Sequence, residues 1–87
     1  MGQRDLPLAS GSAHVKAFER AGWVCAKKRA KDAHFLLRKA GERACLSIPA
    51  HKEVKRTLLQ KQIQRAGLTE QEYLRCFRGE SDVRDSN

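Results

Sequence analysis

Apolar residues are spaced along this chain with two different periods, and the change of period divides it. After Ser10 and Ser12, either placed to cap a helix, Val15 and Phe18 recur at helical spacing with Ala17 and Ala21 beside them, and Gly22 fits a left-handed stop. Trp23-Val24-Cys25-Ala26 then reads as a first strand, because aromatic and β-branched residues suit a half-buried pleated surface. It runs into the basic stretch Lys27-Lys28-Arg29-Ala30-Lys31. His34 to Arg38 reads as a second strand, Ala40-Gly41-Glu42 as a turn, and Arg43 to Ile48 as a third strand ended by Pro49. The second and third strands form a hairpin.

Past Pro49 the period lengthens again. Lys55 to Ala66 carries Leu59, Ile63 and Ala66 at i, i+4 and i+7, with Leu58 widening the stripe and Gly67 as a stop. Thr69-Glu70-Gln71-Glu72 matches a capping box, which opens a short helix through Tyr73, Leu74 and Phe77. The order predicts an α+β fold, α-β-β-β-α with a short extra C-terminal helix. Its three strands form one antiparallel sheet, with the helices packed on one face. A chain of 87 residues makes one domain with a thin core. Residues 1–9 and 79–87 have no period and read as flexible tails around a domain of residues 10–78.

Period two also assigns faces. Phe35 and Leu37, paired with Ala44, Leu46 and Ile48, form the core side of the hairpin, and His34, Leu36 and Arg38 point the other way. Leu36 is awkward there unless it packs beneath long basic side chains.

Charge gives that outer face a meaning. The chain holds 18 Lys and Arg against 10 Asp and Glu, a formal charge of +8, and points toward polyanionic partners. The excess is central: from Arg20 to Arg65 there are 13 basic residues against only Asp32, Glu42 and Glu53. Lys27, Lys28, Arg29 and Lys31, with Arg38, Lys39 and Arg43 on the adjoining hairpin, are the candidate RNA-binding residues. A solvated, self-repelling turn is the plain alternative for such a run. No apolar stretch reaches membrane-spanning length and the first residues lack the core of a secretory signal, so the expected setting is cytoplasmic, with no membrane partner.

The three cysteines, Cys25, Cys45 and Cys76, include no CxxC pair and read as reduced packing residues. His14, His34 and His51 show no ligand spacing, so neither a metal nor another cofactor is expected. His14, inside the first helix, reads as solvated. His34 is the candidate for chemistry. An imidazole titrates near neutrality, and beside cations that hold phosphate it can move a proton. A histidine on a small domain is otherwise a surface or packing residue, and that reading stays open.

Gly22-Trp23-Val24, the basic run, His34 opening a strand, Ser47 through Lys55, Ala66-Gly67-Leu68-Thr69 and Glu72-Tyr73-Leu74 together resemble the HicA (YcfA-like) mRNA interferase toxins. The resemblance extends from about Leu8 to Phe77. It implies a fold like that of double-stranded-RNA-binding domains and an endoribonuclease that needs no metal and uses a single histidine, with the RNA 2′-hydroxyl as nucleophile. The implied partners are mRNA and a HicB-type antitoxin, with the toxin monomeric when free and hetero-oligomeric when neutralised. By position His34 is similar to the catalytic histidine. His51, in Pro49-Ala50-His51, matches a recurrent family position and begins the link to the second long helix; it reads as a turn or capping group or, with Lys52 and Lys55, as an accessory to RNA or antitoxin contact.

One departure stands out. The family histidine follows Gly-Ser, whereas here Asp32-Ala33 precedes it, and the interval from Gly22 is about two residues longer. Asp32 can repel a phosphate or orient the imidazole. A non-catalytic RNA-binding module, or a relative that keeps only antitoxin binding, is therefore the alternative to an active enzyme.

Overall fold

Ser10 starts the first helix as expected, its hydroxyl accepting the Ala13 amide at 3.2 Å, and α1 runs Gly11–Arg20. Gly22 follows with φ of 101°, a left-handed conformation that a side chain disfavours. The computed structural model describes residues 6–29 and 34–79, with the backbone alone for 27–29. The further elements are β1 (Val24–Arg29), β2 (His34–Arg38), β3 (Leu46–Pro49), α2 (Arg56–Arg65) and α3 (Glu70–Phe77). The sheet order is β1-β2-β3 with both pairings antiparallel.

The faces fall as period two requires. Leu37 stands opposite Leu46 and Phe35 opposite Ile48; Leu37, Leu46 and Ile48 are wholly buried and Phe35 packs against them. His34 and Leu36, of the other parity, are half-buried, and Arg38 is exposed. The β1–β2 register slips between Cys25 and Lys27, so Ala26 is an extra residue in a bulge, which strengthens the local twist. The sheet's helical side closes over Phe18, Trp23, Val54, Leu59, Ile63 and Tyr73.

Four expectations change. The third strand covers Leu46–Pro49 rather than beginning at Arg43, since the ladder with β2 runs only from Leu37↔Leu46 to His34↔Pro49, and the Cys45 carbonyl accepts the Arg65 guanidinium at 3.4 Å. Ala44 nonetheless packs against the core. Pro49, expected to end the strand, is its last residue, opposite His34, a position an edge strand tolerates. In the segment expected to be a tail, Leu6 is buried and the Ala9 carbonyl accepts the Val54 amide at 2.9 Å.

The fourth concerns His14. It is fully buried, its Nδ1 hydrogen-bonded to the Tyr73 hydroxyl at 2.5 Å and its ring 5.5 Å from that of Phe77. α3 packs on α1, so the helix face that reads as solvated is an interior surface. Burial depresses the imidazole from the usual 6.5 to about 4, while burial and then Cys76 push the Tyr73 hydroxyl up. α3 itself is started by the expected capping box, with Thr69 Oγ1 accepting the Glu72 amide and Glu72 Oε1 accepting the Thr69 amide.

Much of the positive charge stabilises this framework. Arg20 donates to the Cys76 and Phe77 carbonyls at the end of α3, Arg56 to the Leu6 carbonyl at 2.7 Å, and Arg65 to that of Cys45. For Arg20 the partner is apt, because the last turn of a helix carries partial negative charge and has unpaired acceptors.

Candidate nucleic-acid interface

His34 opens β2 and lies opposite Pro49, the last residue of β3. Two residues beyond Pro49 the chain presents His51, and both histidines line one groove with Pro49, Glu53, Lys55 and, from α2, Leu58. His51 also lines an adjoining groove with Ser10, Ser12, Phe35, Ala50 and Lys52. It is exposed, whereas His34 is half-buried.

The segment carrying His51 is held on both sides. The His51 carbonyl accepts the Gly11 amide at 3.0 Å, and the Val54 amide donates to Ala9. Gly11 is obligatory for this approach: a Cβ there would lie 2.0 Å from the Pro49 carbonyl oxygen. The start of α1 thus lies against the end of β3, and it fixes the backbone on which His51 stands. Glu53 and Leu58 are groove residues that the basic pattern did not single out. Their signal was proximity in sequence to His51 and to the apolar stripe of α2.

The candidate cations separate into groups. Lys55 shares the groove with His34, and Lys52 lies beside His51 in the adjoining one. β1 places the backbones of Lys27, Lys28 and Arg29 opposite Leu36, Phe35 and His34. Lys31, with Asp32 and Ala33, lies outside the described residues. Arg38 and Arg43 are exposed near the other end of the hairpin; at the usual strand rise Arg38 is roughly 13 Å along β2 from His34. Lys39, expected among the RNA-binding cations, is partly buried: its stem lies over Gly22 and its ammonium donates to the Ala21 carbonyl at 3.3 Å, where α1 ends. The missing side chain at Gly22 makes room for it. The groove at His34 is therefore bordered by the His51–Lys55 segment, and the exposed cations of the hairpin turn lie farther along the sheet.

The groove has the composition for proton transfer beside an anion. Two imidazoles can each carry or accept a proton, and Lys55 supplies fixed positive charge, tempered by Glu53. Among the described residues, no helix is long and apolar enough to cross a membrane.

No curated protein and no solved structure matches the chain. A family model does, described as the HicA toxin of bacterial toxin-antitoxin systems, and its match runs over residues 11–68. Those residues include α1, the whole sheet, α2 and every lining residue of the His34 groove. On that match, which covers well over half of its length, the chain belongs to the HicA toxin family.

Proposed function

We propose that this chain is an mRNA-cleaving toxin in which His34 moves the proton of a 2′-hydroxyl, and that a HicB-type antitoxin neutralises it. HicA toxins are ribonucleases, which supports the reaction class. The observation that carries the assignment to His34 is its position: a half-buried imidazole at the mouth of β2, in a groove that also holds Lys55.

RNA brings its own nucleophile. Deprotonation of the 2′-oxygen lets it attack the adjacent phosphorus, and the P–O5′ bond breaks to leave a 2′,3′-cyclic phosphate and a 5′-hydroxyl. The protein needs only to transfer protons and to offset charge on the phosphorane-like transition state. A positioned imidazole contributes on the order of 10² to 10⁴ in rate. Lys55 lines the same groove, and its positive charge compensates negative charge there. Lys27, Lys28, Arg29 and Lys31, together with Arg38, Arg43 and Lys52, extend the positive field for the flanking strand. DNA, lacking the 2′-hydroxyl, is bound and not cut.

Asp32-Ala33 in place of Gly-Ser favours a second reading, an RNA-binding module of the same fold without catalysis. One experiment separates the two. Purified wild type and His34→Ala are incubated with RNA in the presence of a chelator, and with a 2′-deoxy control. Cleavage by the wild type alone, ending in cyclic phosphate, is the expected result. Cleavage that persists in His34→Ala refutes the histidine mechanism, and salt-dependent binding without cleavage by the wild type establishes the module.

A further inference from the structure

We propose that His51 is a second proton-transfer residue, paired with His34 across the one groove they share. The proposal rests on the ribonuclease reading and adds a group to it. Transesterification has two proton demands: the 2′-oxygen must lose a proton as it attacks, and the 5′-oxygen must gain one as it leaves. A lone imidazole meets both only by shuttling the same proton from one oxygen to the other. Two imidazoles meet them together.

The fold supplies the second imidazole where it is needed. His34 stands opposite Pro49 in the register, and His51 follows Pro49 by two residues, so the β2–β3 pairing itself brings the histidines to one end of the sheet. Both line the groove with Glu53, Lys55 and Leu58. The backbone at His51 is fixed by the Gly11 amide on its carbonyl, and the buried Val54 ties the same segment to Ala9. The pinning fixes the backbone that carries His51 at the groove.

The protons balance within the pair. The neutral imidazole of one histidine takes the 2′-proton while the imidazolium of the other gives its proton to the 5′-oxygen. The O2′–P bond forms and the P–O5′ bond breaks. After the step the two histidines have exchanged protonation states, and exchange with water restores them. Among the described side chains, Glu53 and Lys55 in the groove and Lys52 beside His51 are charged groups that bear on this pair, and Arg29 stands opposite His34 in the register.

The test is a single-turnover pH–rate profile on a short RNA oligonucleotide with wild type, His34→Ala, His51→Ala and His51→Gln. Affinity is measured separately on the 2′-deoxy oligonucleotide. The wild type is expected to show a bell-shaped profile. His51→Ala should lose roughly 10²- to 10⁴-fold in rate, keep its affinity within about threefold, and retain only one limb of the bell. His51→Gln, which preserves size and hydrogen bonding, should be as slow as His51→Ala. Added imidazole should restore part of the rate to the alanine variant. A His51→Ala enzyme that keeps both limbs, or whose loss of rate matches its loss of affinity, overturns the pair and leaves the His34 reading intact. A wild type that does not cut RNA, or a His34→Ala protein that cuts it normally, overturns the ribonuclease reading and the pair with it.

Discussion

Lowering the pH from 7 to 5 should destabilise this protein through His14, a residue outside the groove. Its imidazole is fully buried between α1 and α3, with the Tyr73 hydroxyl on Nδ1 and no partner on Nε2. Burial penalises the charged form and lowers its pKa from 6.5 to about 4. The unfolded chain therefore takes up a proton near pH 6.5 that the folded protein refuses until about 4. Between those values the unfolded state binds more protons, so stability rises with pH and is lost on acidification. Linkage for one such group gives a loss of about 2 kcal/mol between pH 7 and pH 5, approaching about 3 kcal/mol by pH 4. For a domain of this size 2 kcal/mol corresponds to a fall in Tm of roughly 8–16 °C. Thermal unfolding of wild type and His14→Gln at pH 7, 6 and 5 measures it. Every other ionisable group is common to the two proteins, so the difference in slope isolates His14. The variant should start lower at pH 7 and fall less steeply. Parallel slopes, or an NMR titration placing His14 near 6.5, would refute the argument.

Two further outcomes follow from the framework around the groove. Gly11→Ala would ordinarily favour a helix, but here the added methyl meets the Pro49 carbonyl oxygen at 2.0 Å. The expected result is a loss of about 1–3 kcal/mol in urea unfolding, and a neutral or stabilising effect would contradict the close docking of α1 on β3. Lys39→Ala and Lys55→Ala should diverge on a noncleavable RNA. Lys55→Ala reduces the salt slope of binding by about one phosphate's worth, roughly 0.7 for a single strand, whereas Lys39→Ala leaves the slope and lowers Tm, because its ammonium caps the end of α1. Equal slopes for the two variants would show that the groove does not hold the strand.

The hairpin faces were legible in the sequence because alternation is a local property: Phe35, Leu37, Leu46 and Ile48 each report the same side. So was the start of α3, where Thr69 and Glu72 satisfy one another's amides within four residues. His14 was not legible. Its spacing in α1 tells which residues share a face, not that α3 covers that face from 59 residues away in sequence. Lys39 failed for a similar reason, since a basic residue in a basic stretch looks like all the others until a distant carbonyl claims it. His34 was singled out from its neighbours and its family position. Its companions Glu53 and Leu58 were not, because the groove is made by the return of the chain after Pro49.

That return has a consequence for how the toxin is made. The wall of the groove is contributed by residues 34 to 58, and its His51 segment is held by residues 9 to 11, so its contacts join parts of the chain some 40 residues apart. Domains form as units and long-range contacts come late. During synthesis the early α1 and β1 emerge without any groove to complete, and the groove exists only once the chain through Leu58 has left the ribosome and the His51 segment has docked on Gly11. A chain stalled before that point carries the histidine at 34 but not the site. The groove is thus a late product of folding, complete only once residues on both sides of the sheet have met.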